Sequence, residues 1–243
     1  TNTINTFQPD ILCIGGGGCN AVNYMYSQGV KDVTFLVCNT DRQCLGKCSV
    51  PAKLQLGPGL GAGGRPEKAK EYAEQYRDRI REALDDGTQM LFLAAGMGGG
   101  TGTGASPIVA EVAQQMGILT VGIVTIPFAF EGKPKIRKAL TGVAALAEHV
   151  DAILVINNDK LRAFGNLPLT GAFKKADDVL YTAVKGIAEI ITVSAYVNID
   201  FRDVNTVMEN SGTALMGIGT GEGENRARQA VEEAATSVLL NDN

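Results

Sequence analysis

The chain has no tryptophan, one histidine and no cysteines spaced as CxxC. With aromatic residues at 6%, it has little material for a base-stacking platform. One histidine and an odd set of five cysteines (Cys13, Cys19, Cys38, Cys44 and Cys48) make no zinc-ligand set, so no metal site built from protein ligands is expected. The cysteines read as reduced thiols of a cytoplasmic protein, small hydrophobes in or beside strands. A basic excess is also missing. The 22 Lys+Arg against 26 Asp+Glu give a net charge of −4, which speaks against nucleic acid or an anionic membrane as partner. No signal peptide is read. Residues Gly87 to Ala110 carry no charge, but their Gly, Thr and Pro107 would leave irregular backbone that lipid cannot satisfy, so no membrane insertion is expected.

What is present is core material: 45% apolar residues in 243, enough for one large α/β domain or two small ones. Apolar runs at Asp10–Ile14, Val33–Cys38, Met90–Ala95, Ile118–Val124 and Ala152–Ile156 are mostly continuous, as parallel strands covered on both faces require. Helical patterns alternate with them. One opens at Pro66 and repeats through Ala69, Tyr72, Tyr76, Ile80 and Ala83. One runs from about Ser106 to Gly117, and one from about Lys135 to His149. The βαβα order predicts a doubly wound, mainly parallel α/β sheet. A long helix from about Thr170 to Thr192 has apolar residues around much of its circumference, Ile190 included, and is expected to be buried on more than one side. A helix near Val204–Ser211, a strand near Ala214–Ile218 and a helix near Asn225–Ser237 follow.

Glycine is the surplus: 30 residues, about 12% against a usual ~7%. It gathers at Gly15–Gly18, Gly57–Gly64 and Gly96–Gly104. After parallel strands, all three clusters should meet at one sheet edge, where open α/β sheets bind ligands. Glycine lets backbone N–H groups converge, and helix N-termini add partial positive charge, so a polyphosphate fits. The dinucleotide fingerprint GxGxxG fails at Asn20, and GxxxxGK[ST] is absent. Asp41, after the second strand, keeps a nicotinamide-dependent oxidoreductase as the alternative.

The third cluster decides between them. Gly98-Gly-Gly-Thr-Gly-Thr-Gly104 resembles the signature loop of the tubulin/FtsZ superfamily, and the resemblance extends along nearly the whole chain, towards the bacterial cell-division branch. It implies a GTPase that binds GTP or GDP with Mg²⁺, with a monovalent cation as a further candidate, and assembles with itself head to tail into filaments at the division site. By the same resemblance Gly16, Gly17, Gly18, Cys19 and Asn20 line the α/β-phosphates, and Asn39 and Asp41 form the second loop. Ala62 and Gly63 sense the γ-phosphate. Gly98, Gly99, Gly100, Thr101, Gly102 and Thr103 form the signature loop. Glu131, Lys135 and Asn158 stand on the sugar side. Lys135 takes the place of a family Arg, keeping the charge and losing the planar fork; Arg137, two positions on, is a candidate to compensate.

Phe173 and Asp177 are four apart and share a helix face. A ring there can stack on a base, and the carboxylate can accept from guanine N1–H and the 2-amino group, which adenine does not offer. Asn198, Asp200 and Asp203 match the loop that polarises water at a neighbouring subunit's nucleotide. Their plain alternative is a helix start, with Asp200 as N-cap. If they do not act, the chain is a GTP-binding scaffold. The expected division is a nucleotide-binding domain (1–168), a connecting helix (169–197), and the catalytic loop with an incomplete second domain (198–243). In that case the strand near Ala214–Ile218 lacks sheet neighbours, and a tail that binds membrane anchors is absent.

Overall fold

A computed structural model describes residues 9–30, 33–164, 168–192, 200–237 and 239–240. The elements are β1 (Asp10–Ile14), α1 (Gly15–Ser27), β2 (Thr34–Asn39), α2 (Arg42–Lys47), β3 (Ala52–Gln55), α3 (Pro66–Gln75), α4 (Arg77–Leu84), β4 (Met90–Gly96), α5 (Thr101–Gln115), β5 (Leu119–Ile126), α6 (Lys133–Ala147), β6 (Ala152–Asn157), α7 (Leu169–Thr192), α8 (Phe201–Met208), β7 (Gly212–Ala214) and α9 (Arg226–Ala235). Short 3-10 turns occupy Ala129–Glu131 and Asn158–Phe164.

The seven strands form one sheet in the order β3-β2-β1-β4-β5-β6-β7, and every pairing is parallel. Alternation along the strands divides the core in two. Ile11, Cys13, Phe92, Ala94, Val121 and Ile123 face α1 and α7. Leu12, Ile14, Leu91, Leu93 and Val124 face α3, α4, α5 and α6. The order reverses at β1 and β4, a switch point that opens a crevice at their carboxyl ends.

Several boundaries differ from the sequence reading. Helix α5 begins at Thr101, five residues before the expected Ser106, because glycines of low helix propensity are held helical by packing. Gly15–Gly18 are likewise the first turn of α1 rather than a loop before it. The Pro66 pattern breaks at Tyr76 into α3 and α4. β3 and α2 carry no clear period and were not expected; Asp41 caps α2, accepting from Gln43 N–H at 2.8 Å and Cys44 N–H at 3.3 Å. The last strand is Gly212–Ala214, and it does have a neighbour, since it pairs with β6. On α7, Ala176, Val179, Leu180, Ala183 and Val184 are buried, whereas Ile190 is 50% exposed, so burial is one-sided near that end. The five cysteines are free thiols, Cys44 half-buried and the others buried.

Candidate functional site

A cleft of about 410 Å³ lies over the carboxyl ends of β1, β4 and β5. Helices α1 and α5 both start on it. Gly15 has φ +77°, and a Cβ there would stand 2.8 Å from the Gly102 nitrogen; a Cβ on Gly102 would stand 2.4 Å from the Gly96 carbonyl oxygen. Glycine therefore lets the two helix starts press together against β4. The N-cap residues of these helices, Ile14 and Gly100, offer no side-chain acceptor to the first-turn N–H groups. Two helix starts without such an acceptor, aimed at one cleft, suit an anion with several oxygens.

Gly16, Gly17, Asn20, Gly99, Gly100 and Thr101 line this end, and Gly102 lies beside them. A hollow of about 220 Å³ shares Gly16, Gly100 and Thr101 and is bordered by Asn39, Thr40, Asp41, Ala62 and Gly63. The Thr40 and Thr101 hydroxyls lie 2.7 Å apart. Asn39 is buried; its Nδ2 donates to Cys19 Sγ at 3.3 Å and its Oδ1 accepts from Asp41 N–H at 3.2 Å, tying the second loop to α1.

Four expected residues turn away from the cleft. Gly18 backs onto β4, where a Cβ would meet the Ala94 oxygen at 2.9 Å. Cys19 is buried, and burial pushes its thiol up to about 12, so it stays protonated. Gly98 N–H donates to the buried Thr103 Oγ1 at 2.8 Å, so these two brace the signature loop from within. Thr103 then packs against Gly142 of α6.

The other end is closed by α7 and the Ala129–Glu131 turn. Phe128 and Phe130 stack with centroids 5.0 Å apart, and Phe173 meets both edge-on, at 5.3 and 6.5 Å. Phe173 and Asp177 both line the cleft, as their spacing requires. Burial pushes the Asp177 carboxyl up to about 6. Its neighbour Asp178 is differently placed, accepting from Lys175 at 2.8 Å and from the Tyr24 hydroxyl at 3.2 Å. Asn158 lines the cleft while buried, and its buried Oδ1 has no hydrogen-bond partner. Glu131 accepts from Phe128 N–H at 3.0 Å and from Lys135 Nζ. Those two charges neutralise each other, so an anion here is held mainly by backbone and hydroxyl dipoles. Arg137 does not compensate for Lys135: it lines a separate hollow on the far side of α5.

Asp200 and Asp203 are exposed and lie outside the cleft. Asp200 Oδ1 accepts from Asp203 N–H at 3.0 Å, and Asp203 Oδ2 accepts from Asp200 N–H at 3.1 Å, a capping box that starts α8. Asn198 lies outside the described residues. Lining residues that the sequence reading passed over include Thr40, Thr125, Pro127 and Ala176. Thr40 stood between two named residues, and Thr125 and Pro127 follow from the strand-end rule applied to β5. Among the described residues, no group of three or more His, Cys, Asp or Glu side chains could hold a metal ion, and no helix is long and apolar enough to cross a membrane.

The family model described as Tubulin/FtsZ family, GTPase domain, matches residues 10–166. The chain is 52% identical over 239 residues to Cell division protein FtsZ of Porphyromonas gingivalis, covering 96% of this chain and 52% of that protein. It is 47% identical over 246 residues to Cell division protein FtsZ of Aquifex aeolicus, covering 99% and 67%. A solved structure, an empty FtsZ dimer from M. jannaschii, superposes with a TM-score of 0.93 at 40% identity, covering 98% of this chain and 71% of its own. The chain spans about half the length of the P. gingivalis relative. On this match of sequence, fold and loop order, the chain belongs to the Tubulin/FtsZ family, in its GTPase domain.

Proposed function

We propose that this chain binds GTP, hydrolyses it with Mg²⁺, and assembles head to tail into filaments that serve bacterial cell division in the cytoplasm. The observation that carries the reading is the cleft itself. Two glycine-rich helix starts without side-chain caps meet at its phosphate end, and Phe173 with Asp177 stands at the other. The N–H groups of Gly16, Gly17, Gly100 and Gly102 and the Thr101 hydroxyl would hold phosphate oxygens. Ala62 and Gly63 border the hollow where a γ-phosphate would be sensed. Asn158 would accept from the sugar or base edge, Glu131 and Lys135 would flank the ribose, Phe173 would pack on the base, and Asp177 would accept from guanine N1–H and the 2-amino group.

The donor set around the phosphate end is neutral, which fits a nucleotide arriving with a divalent ion that neutralises phosphoryl charge. Oxygen donors near that end are the Thr40 and Thr101 hydroxyls.

Asp200 and Asp203 lie outside their own chain's cleft. That supports a site completed by the Asn198–Asp203 loop of an adjacent copy, whose acids would orient the attacking water. A division into residues 1–168, 169–197 and 198–243 belongs to the same proposal; it is supported by the exposed Val207, Leu215 and Val231, which await cover.

The test is a nucleotide titration followed by a hydrolysis assay over a range of protein concentrations. GTP should bind far more tightly than ATP, and turnover per molecule should rise with concentration. Equal affinity for the two nucleotides overturns the guanine assignment. Rapid turnover independent of concentration overturns the shared site and leaves Asp200 and Asp203 as residues that start a helix.

A further inference from the structure

Behind the signature loop, on the face of α5 that turns away from the cleft, lies a second hollow of about 370 Å³ between α3, α5 and α6. Its body is apolar or small: Pro66, Gly104, Pro107, Gly142 and Ala145. Lys70, Arg137 and Lys138 stand on its rim against a single carboxylate, Glu67. Among the described residues Arg137 takes part in no ion pair, and Lys70 in none closer than its electrostatic attraction to Glu74. Pro107 has no N–H, so the Thr103 carbonyl in this wall lacks the donor that an unbroken helix would supply. An apolar hollow of this size with a few convergent polar groups has the make-up of a small-molecule site.

We infer that this hollow binds a small organic anion with a flat apolar body, an aromatic carboxylate in class. The ring would lie on the prolines and small residues, and the carboxylate would pair with Arg137 and Lys70. The site also touches the nucleotide machinery. The first turn of α5 forms one wall of each cavity, and Lys138 Nζ donates to the Gly64 carbonyl at 2.7 Å, holding the middle glycine loop. A bound carboxylate competes for Lys138 and releases that loop. This coupling, unlike the binding, rests on the proposed nucleotide site.

The experiment uses 1-naphthoate as probe and amide NMR of the 243-residue chain, without nucleotide and with saturating GDP. Saturable shifts at Thr103, Gly104, Thr141 and Gly142 are expected in both conditions. The double variant Lys70→Ala/Arg137→Ala, whose side chains are exposed, should melt as the parent does and bind naphthoate at least tenfold more weakly. Neutral 1-naphthamide should show a similar loss against the parent. Shifts confined to cleft residues and abolished by GDP, or equal affinity in parent and double variant, overturn the site. Naphthoate should also change GDP affinity at least threefold in the parent and not in Lys138→Ala; binding without that change overturns the coupling alone. If the parent fails to bind GDP while the shifts still map to this hollow, the proposed function falls and the anion site stands.

Discussion

Asp177 shows how one half-buried carboxylate can trade stability for recognition. Its carboxyl titrates near 6 rather than at its ordinary 3.8, because burial disfavours the charged form. Guanine donors would favour that charged form, so the bound carboxyl titrates lower than the free one. GTP affinity should therefore be full above about pH 6 and fall as pH drops through 6. Titrations at pH 7.5 and 5 check this, and Asp177→Asn should flatten the profile and lose most of the preference over ATP. The folded state pays the opposite way: its raised carboxyl lowers stability above the ordinary range. Nucleotide-free Asp177→Asn should melt higher than the parent at pH 7.5, and the gap should shrink as pH falls below 6 and close near the ordinary 3.8. Thr101 is a second residue-scale case. Its hydroxyl lies 2.7 Å from that of the buried Thr40, so Thr101→Ala should weaken GTP binding about tenfold or more, and should cost nucleotide-free protein about 1–3 kcal/mol by leaving the Thr40 hydroxyl unpaired. Phe173 and Asp177 were legible in the sequence because helical spacing puts i and i+4 on one face. Thr103 was not, because nothing in the sequence tells whether a signature-loop hydroxyl points out at a ligand or back at Gly98 N–H.

At the scale of elements, the site depends on how closely α3 and α5 approach. A Cβ on Gly104 would stand 2.0 Å from the Pro66 carbonyl oxygen, a clash with backbone that cannot swing aside. Gly104→Ala should destabilise the protein by about 1–3 kcal/mol or more, read by urea denaturation. It should also loosen nucleotide binding, because the start of α5 lines the cleft. Helix α8 makes a milder case. Its reciprocal Asp200–Asp203 cap is exposed, so Asp200→Ala should cost about 1 kcal/mol, confined to amide exchange in α8. Under the shared-site proposal, hydrolysis should fall far more than stability does. The five long strands were legible as continuous apolar runs. β3 was not, because Ala52–Gln55 has one buried side chain, Leu54, and lies at the sheet edge. The start of α5 was misplaced because glycine there answers to the backbone of β4 and α3, not to local propensity.

At the scale of the whole molecule, the proposal places the catalytic acids of one copy over the nucleotide of the next. Mixing two inactive variants tests it directly. An Asp200→Asn/Asp203→Asn chain, which keeps its own cleft, combined with a Thr101→Ala/Asp177→Asn chain, which keeps its acids, should recover part of the hydrolysis that neither shows alone. No recovery at any ratio, with both variants folded and assembling, would count against the shared site. Sequence alone determined the parallel α/β class, the three glycine clusters at one sheet edge and the pairing of Phe173 with Asp177. These follow from local period, from glycine's missing side chain and from the order of the elements. Tertiary structure decided the rest. It put the starts of α1 and α5 in contact, buried Asn158 Oδ1 without a partner, turned Thr103 inward, and sent Arg137 to the far side of α5. Each of these depends on which side chain or backbone group from a distant segment occupies the neighbouring space, and no local pattern encodes that.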